Sequence, residues 1–520
     1  MAKYIPYDYN QTSMVVINFQ DQIQPGTFEH AVHYLVDNKL DLSCFDNTFK
    51  NDVNGRPAYD PAILLKIILF AYSKGITSSR EIEWCCHTNI IFKALSCDSV
   101  PHFTTIAGFV SGYPESIESV FEQVLLVCYE QGLLGNELFA VDGCKLPSNA
   151  AKTWSGTHQE LRDKRDKLKR LIHYHMDKHQ QLDANDRYES SQQKRLQQSI
   201  DTLDKAASKI EHFLSENEPR MGKGQRKTEV KSNITDNESA KMTTSKGTIQ
   251  GYNGVATVDK KHQIVVDAQV FGAGPEQHTL QPVIETIRQR FSDIGINENI
   301  FDTGLILTAD TGFADEANMQ YLHEENINGY IPDNKFRVRD PKFAHQKKKY
   351  PRASRATGKV KSIIPAAEFH FDPVRLSCQC PAGKTLSPRG IRKDKQGRDN
   401  ALFIGLLSQC RDCDLKHKCM KNPDAVKKYN GIGRQVSFAI NKDKKPNYTD
   451  WMKRRVDSDK GRQIYSHRMS VVEPVFGNIC VNKRLQRFSL RTKVKVNAQW
   501  KLFCLIQNIE KIEHYGKLAA

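Results

Sequence analysis

Apolar positions recur at helical spacing from Gly55 to about Tyr129. Ile63, Leu64, Ile67, Ile68 and Ala71 form one stripe, opened by Asp60 as N-cap ahead of Pro61 and closed by Gly75. Thr77, Ser78 and Ser79 before Arg80-Glu81-Ile82-Glu83, and the run Phe103–Phe109 after Pro101, predict further short helices joined by tight turns. Such an array suits a helix-turn-helix DNA reader as well as a plain bundle. From Glu137 the pattern changes. Leu138–Asp142 reads as a short buried strand ending in a carboxylate, and Gly254–Val258 and Gln263–Phe271 as two strands joined by a turn at Asp259–His262. A helix from about Glu276 to Phe291, a strand Leu305–Asp310 ending in a second aspartate, a helix near Asp315–Glu325 and a short strand Gly329–Pro332 follow. This order predicts an α/β layer fold with a mixed sheet.

Two polar segments interrupt that order. In the first, roughly Lys152 to Ile249, Leu196, Ile200, Leu203, Ala207, Ile210 and Leu214 alternate at spacings of four and three. Leu161, Leu168, Ile172 and His175 supply a weaker partner stripe, which predicts an antiparallel helical hairpin turning near Asp183–Glu189. His175 and His179 have a metal-compatible spacing but read as the solvated face of a hydrophilic helix. The second segment runs from about Lys335 to Asp450. Its first part, to Lys361, carries eleven Lys or Arg against Asp340 alone, which suits a loop lying along phosphates.

Length and charge narrow the function. The chain has 520 residues, room for three or four domains, with 39% apolar and 26% charged residues. Its net charge of +16 favours a polyanionic partner, nucleic acid above all. The longest apolar stretch, Ala62–Tyr72, is interrupted by Lys66 and is about half of the ~20 residues a spanning helix needs, and the first twenty residues hold no apolar secretion core. A cytoplasmic protein without membrane attachment is expected. Thirteen cysteines then point to thiols or a metal rather than disulfides. Cys378-x-Cys380-Pro381 followed by Cys410-x2-Cys413-x5-Cys419 has the paired spacing of a structural zinc site, with reduced metal-free thiols as the alternative.

Phosphodiester chemistry uses two hard cations about 4 Å apart, held by carboxylates. Asp142 and Asp310, each at a predicted strand end, would project toward one point. Glu473, in the helical segment Tyr465–Cys480 beside Tyr465 and Arg468, is expected to face inward among Val471, Val472, Val475 and Phe476 and to complete the set. Taken singly, Asp142 before Gly143 also fits a turn, and Asp310 also fits a helix cap.

The ordered segments GRPAYDPAILLKIILFAYSKGITSSREIE, VDGCKLPSNA, GYNGVATVD, ADTGF, YIPDNK and YSHRMSVVEPVFG together resemble the DDE transposases of bacterial insertion sequences. The nearest resemblance is to the insertion-sequence family eleven-eighty-two, within the broad insertion-sequence-four superfamily. The resemblance covers nearly the whole chain. It implies a ribonuclease-H-like α/β core with a mixed sheet, built from residues 131–151, 250–334 and 451–520. An all-α DNA-binding domain would occupy 1–130, the helical hairpin insertion 152–249, and a basic, cysteine-rich zinc-knuckle insertion 335–450. Asp142, Asp310 and Glu473 would be the catalytic triad holding two Mg2+ (or Mn2+) ions. Arg468 would grip phosphate and Tyr465 would lie near the flanking nucleotide. One structural Zn2+ would sit on Cys380, Cys410, Cys413 and Cys419, with Cys378 as the alternative to Cys380. The enzyme would cut double-stranded DNA at the terminal inverted repeats of its element and join the 3′-hydroxyl ends to target DNA, as a homodimer on the bacterial nucleoid.

The third motif departs from the superfamily pattern. Tyr-x2-Arg-x3-Glu-x6-Lys becomes Tyr465-x2-Arg468-x4-Glu473-x6-Cys480. If the helix continues, Lys483 and Arg484 lie near the face of the missing lysine. With Arg487 and Arg491, in a stretch from Pro474 to Ile509 that has no acidic residue, they would meet DNA phosphate. Two other readings remain: a DNA-binding regulator or inactive transposon relic, and a host nuclease on the same fold.

Overall fold

Helix starts follow the caps written into the sequence. In this computed structural model, which describes residues 16–48, 57–183, 190–222, 228–245, 247–343, 363–373, 375–393, 399–427, 432–440 and 447–518, Thr27 caps helix Phe28–Asn38 (α1) and Asp60 caps Pro61–Ser73 (α2). Gly75, at φ +75°, turns the chain out of α2. Ser79–Thr88 (α3), Ile90–Leu95 (α4), Phe103–Gly112 (α5) and Pro114–Glu130 (α6) complete the N-terminal helices. Every residue of α2 from Leu64 to Tyr72 is buried, and Lys66 among them is neutralised by Asp37 at 2.6 Å.

The sheet begins with Leu138–Pro147 (β1). Contrary to the short strand expected, β1 continues five residues past Asp142, because a long partner holds it from Phe139↔Asp259 to Pro147↔Gly251. Two long helices, His158–Asp183 (α7) and Ser190–Glu216 (α8), follow β1 and pack on each other through Leu161, Ile210 and Phe213, with Lys169 bridging to Glu211 at 3.1 Å. Residues 184–189, where their turn was expected, lie outside the described residues. His175 and His179 on α7 are half-buried among exposed neighbours.

Ala240–Thr244 (β2), Gly247–Asp259 (β3), Val265–Phe271 (β4), Ile306–Ala309 (β5) and Asn328–Tyr330 (β6) give the strand order β2-β3-β1-β5-β6, with β4 also paired to β3. Pairings among β1 to β4 are antiparallel, while β5 runs parallel to β1 and β6 parallel to β5. The sheet is therefore mixed, as the β-branched runs and intervening helices predict. Leu280–Asp293 (α9) lies between β4 and β5, and Glu316–Glu324 (α10) between β5 and β6.

The chain divides into two compact units, Met1–Arg339 with Tyr448–Ala520, and Asp340–Asn447. The first unit resumes with Tyr448–Asp457 (α11), Asp459–Ser466 (α12), Arg468–Gly477 (α13), a π-helical turn Asn478–Asn482 and Lys493–Tyr515 (α14). Nearly all of α14 from Val496 to Ile509 is buried, the mark of a helix enclosed on all sides. On one side it meets α1, α2, α5 and α6, on another β4. Asn508 exchanges two hydrogen bonds with the Val265 backbone (2.7 and 2.9 Å), and Asn497 accepts from the Val270 N–H (2.9 Å). These amides satisfy the free edge of β4, which would otherwise be a template for another strand.

The second unit holds two small sheets, His370–Asp372 (β7) with Ser377–Gln379 (β8), and Ser387–Lys393 (β9), Asp399–Ile404 (β10) and Gln435–Ala439 (β11) in antiparallel order. Its core is small: Phe369, Cys378, Leu386, Ala401, Phe403 and Val436. Of the basic run, Lys347, Lys348, Lys349, Arg352, Arg355, Lys359 and Lys361 lie outside the described residues. Arg339 is tied to Asp333 (2.6 Å) and Asp457 (2.7 Å), an ion pairing the one-sided run did not announce.

A buried charge network joins the helices to the sheet. Arg290 of α9, 2% exposed, meets the fully buried Asp267 of β4 at 2.5 Å and Glu118 of α6 at 2.6 Å, while Lys501 of α14 also pairs with Glu118. Removing one partner of a buried pair strands the other charge, at a cost of about 3–5 kcal/mol. Arg290→Met should lose about that much stability in chemical denaturation, and adding Asp267→Leu should restore most of it. Failure of the second change to rescue would show that the pair is not the source of the loss.

Candidate active site

Val141 of β1 pairs in parallel with Ala309 of β5, so the next residues in register are Asp142 and Asp310. The two aspartates thus stand side by side on adjacent strands. The Asp142 carboxylate accepts the Gly143 N–H at 2.9 Å and meets the Arg468 guanidinium of α13 at 2.8 Å, with side chains 20% and 7% exposed. Arg468 Nε is buried without a partner. Asp310 caps the tight turn Thr311–Phe313, accepting the Gly312 N–H at 2.7 Å. Asp310 caps this turn and not the following helix α10, which Asp315 caps, and Asp142 lies within a strand and not in a turn.

Sequence reasoning passed over a third carboxylate here. Glu276 opens the turn Glu276–His278 ahead of α9, and one of its oxygens meets Lys145 at 3.4 Å and Asn253 at 3.3 Å. Burial is the largest influence on Asp142, and with the charges of Asp310 and Glu276 it raises the carboxyl to about 6 against the opposing Arg468 and Gly143 N–H. Glu276 is raised as well, by burial first and then by Asp310, against Lys145. Tyr465, half-buried and edge-on to Phe336 at 5.3 Å, lies within electrostatic reach of Arg468, Asp310 and Asp142, and burial raises its hydroxyl. No motif signals Glu276: an acid at a helix start is ordinary, and only the fold brings that turn to Asp310.

Glu473 does not face inward as expected. It is exposed on α13, because Arg468, Val471, Val472 and Val475 occupy the buried face and position 473 falls on the side of Met469 and Ser470. Among the described residues no group of three or more His, Cys, Asp or Glu side chains forms a ready metal cage.

The helix does not continue past Gly477 as a regular α-helix. The π-turn and Arg484, at φ +55°, break the face argument for the residues beyond. Lys483 is a correction: it is 1% exposed and paired with Glu510 at 2.7 Å, a buried internal ion pair rather than a surface cation. Lys501 of the same basic stretch is buried against Glu118. Arg484, Arg487 and Arg491 are exposed, the last two bonded to the Ser148 and Asn149 carbonyls at 3.1 and 2.8 Å. Cys480, at the usual lysine position, interacts with Cys144 of β1, whose thiol is pushed up by Cys480 and by burial.

In the second unit, Cys380, Cys410, Cys413 and Cys419 line one small cavity with Lys384, Lys416 and Arg434. Cys378 belongs instead to the hydrophobic core, 1% exposed. The Lys384 N–H points at the Cys380 sulfur (3.4 Å) in a turn through Gly383 at φ +72°.

Two family models match parts of the chain. Residues 379–513 match the family model described as Transposase DDE domain, a span that includes Tyr465, Arg468 and Glu473. Residues 17–112 match a second model, Transposase domain (DUF772). Two separate transposase matches support a DDE transposase, a family that implies DNA binding and divalent-metal use. No curated protein matches the chain. Among the described residues no helix is long and apolar enough to cross a membrane.

The raised Asp142 carboxyl links stability to pH. An unfolded aspartate ionises near 3.8 and the folded one near 6, so its contribution is fully present below pH 4 and lost as pH rises through 6, by about 3 kcal/mol. Without divalent cations, Asp142→Asn should gain on the wild type by about that amount between pH 4 and pH 7 in denaturant titrations. A constant difference across that range would refute the buried, repelled carboxylate.

Proposed function

We propose that the chain is an insertion-sequence transposase with a ribonuclease-H-like core, in which Asp142, Asp310 and Glu473 act as the catalytic triad. The observation that carries this reading is the in-register pair Asp142 and Asp310, with Arg468 on Asp142, in a chain with two transposase matches. Crowded carboxylate oxygens with raised proton affinity are a donor set suited to a hard divalent cation, Mg2+ or Mn2+. Bound there, two such ions supply charge stabilisation for phosphoryl transfer and acidify an attacking water. Arg468, the guanidinium held on Asp142, would donate to a phosphate oxygen, and Tyr465 stays protonated as a second donor. The N-terminal helices and the exposed Arg484, Arg487 and Arg491 bind the terminal inverted repeats. A homodimer holds the two ends together, and the nucleoid is the place of action. Within the superfamily, the family eleven-eighty-two fits the motif order best.

Asp142→Asn, Asp310→Asn or Glu473→Gln should each reduce nicking and strand transfer on a terminal-repeat duplex in Mg2+ by a thousandfold or so, a loss of about 4 kcal/mol in transition-state stabilisation, while leaving end binding intact. Wild-type rates in the Glu473→Gln protein would remove Glu473 from the triad. Wild-type protein that binds ends and never cuts them would make the chain a regulator or relic.

We also propose one structural zinc on Cys380, Cys410, Cys413 and Cys419, which line one cavity without forming a ready cage, separate from the carboxylates because thiolates select zinc over magnesium. Lys384, Lys416 and Arg434 would offset the negative charge of four thiolates. Elemental analysis should find one zinc per chain in protein purified without chelator. Cys413→Ser should lose it and Cys378→Ser should keep it, whereas a zinc-free wild type rules the site out.

A further inference from the structure

We propose that Glu276 is a working carboxylate of the active site, binding a divalent cation jointly with Asp310 across Gly312. The inference rests on the transposase reading and adds a residue to it. Three placements carry it. The turn Glu276–His278 packs against the turn Thr311–Phe313, so the two carboxylates approach from different elements onto one spot. That spot exists because residue 312 is glycine: a Cβ there would overlap one Glu276 oxygen and lie 2.9 Å from an Asp310 oxygen. The other Glu276 oxygen takes both of its described polar partners, Lys145 and Asn253, which leaves the first turned toward Asp310.

Asn253 points the same way independently. It is fully buried on β3, directly opposite Lys145 of β1. Its Nδ2 donates to Glu276, while its Oδ1 meets no donor and rests against Gly143, the neighbour of Asp142. An enclosed acceptor without a donor, between Gly143 and Glu276, suits a hydrated cation whose waters donate to it. A purely structural Glu276 needs only its oxygen on Lys145 and Asn253. Glutamine keeps an oxygen there at nearly the same shape, so Glu276→Gln separates the two roles.

Mn2+ binding to the full-length protein, followed by electron paramagnetic resonance without DNA, tests the assignment. Glu276→Gln should weaken the tightest site by about tenfold or more, as should Asp310→Asn. Glu276→Asp, which keeps the charge on a shorter arm, should fall between, and thermal unfolding in EDTA should show that all three variants are folded. Mn2+ affinity in folded Glu276→Gln within twofold of wild type, with the site lost in Asp310→Asn, overturns the role of Glu276 and leaves the metal reading of the site standing. Absence of Mn2+ binding by the wild type overturns both.

Discussion

A deficit of positive charge governs the centre of this molecule. Asp142, Asp310 and Glu276 lie on neighbouring strands and turns, and among the described residues Arg468 pairs with Asp142 and Lys145 with Glu276. The local architecture follows from keeping that imbalance in place. Parallel pairing of β1 with β5 fixes the aspartates in register, and Gly143 and Gly312 leave room where a β-carbon would strike a side chain. Helix α13 is anchored by the same imbalance, because Arg468 is buried and Asp142 is its carboxylate partner. Asp142 and Glu276 hold protons more tightly than free carboxyls do, through burial first and neighbouring charge second.

Around that centre the helices and sheet are joined by charges as well as by apolar packing. Arg290 and Lys501 converge on Glu118 of α6 from α9 and α14, and Asp267 completes the set from the sheet. The N-terminal helices accordingly share one compact unit with the sheet. A replacement of similar size that discards any one of these charges would unbalance three elements at once.

What could be read in advance was what short-range pattern controls. Asp60 with Pro61 announced α2, the turn at Asp259–His262 announced the β3–β4 hairpin, and the acids after Val141 and Ala309 were legible as neighbours once both strands were assigned. Long-range partners were not legible. Lys483 looks like a surface cation until Glu510, 27 residues later, is seen to neutralise it. Glu473 sits among valines in the sequence, yet the helix turns it outward because Arg468 claims the inner face. Glu276 looks like an ordinary helix-start acid, and its approach to Asp310 depends on a crossing that local periodicity does not encode.

Helix α14 also sets a timetable for folding. It closes over α1, α2, α5 and α6, yet more than 360 residues separate Lys493 from the end of α6 at Glu130. At roughly 5–20 residues per second of synthesis, those first helices wait about 20 to 70 seconds for their cover. During that interval their apolar faces, and the free edge of β4 that Asn508 later satisfies, are open to other chains. The ribosome therefore has to deliver α14 before α1, α2, α5 and α6 can close. A chain stopped short of Lys493 would present Asp142 and Asp310 on a sheet with one of its layers missing.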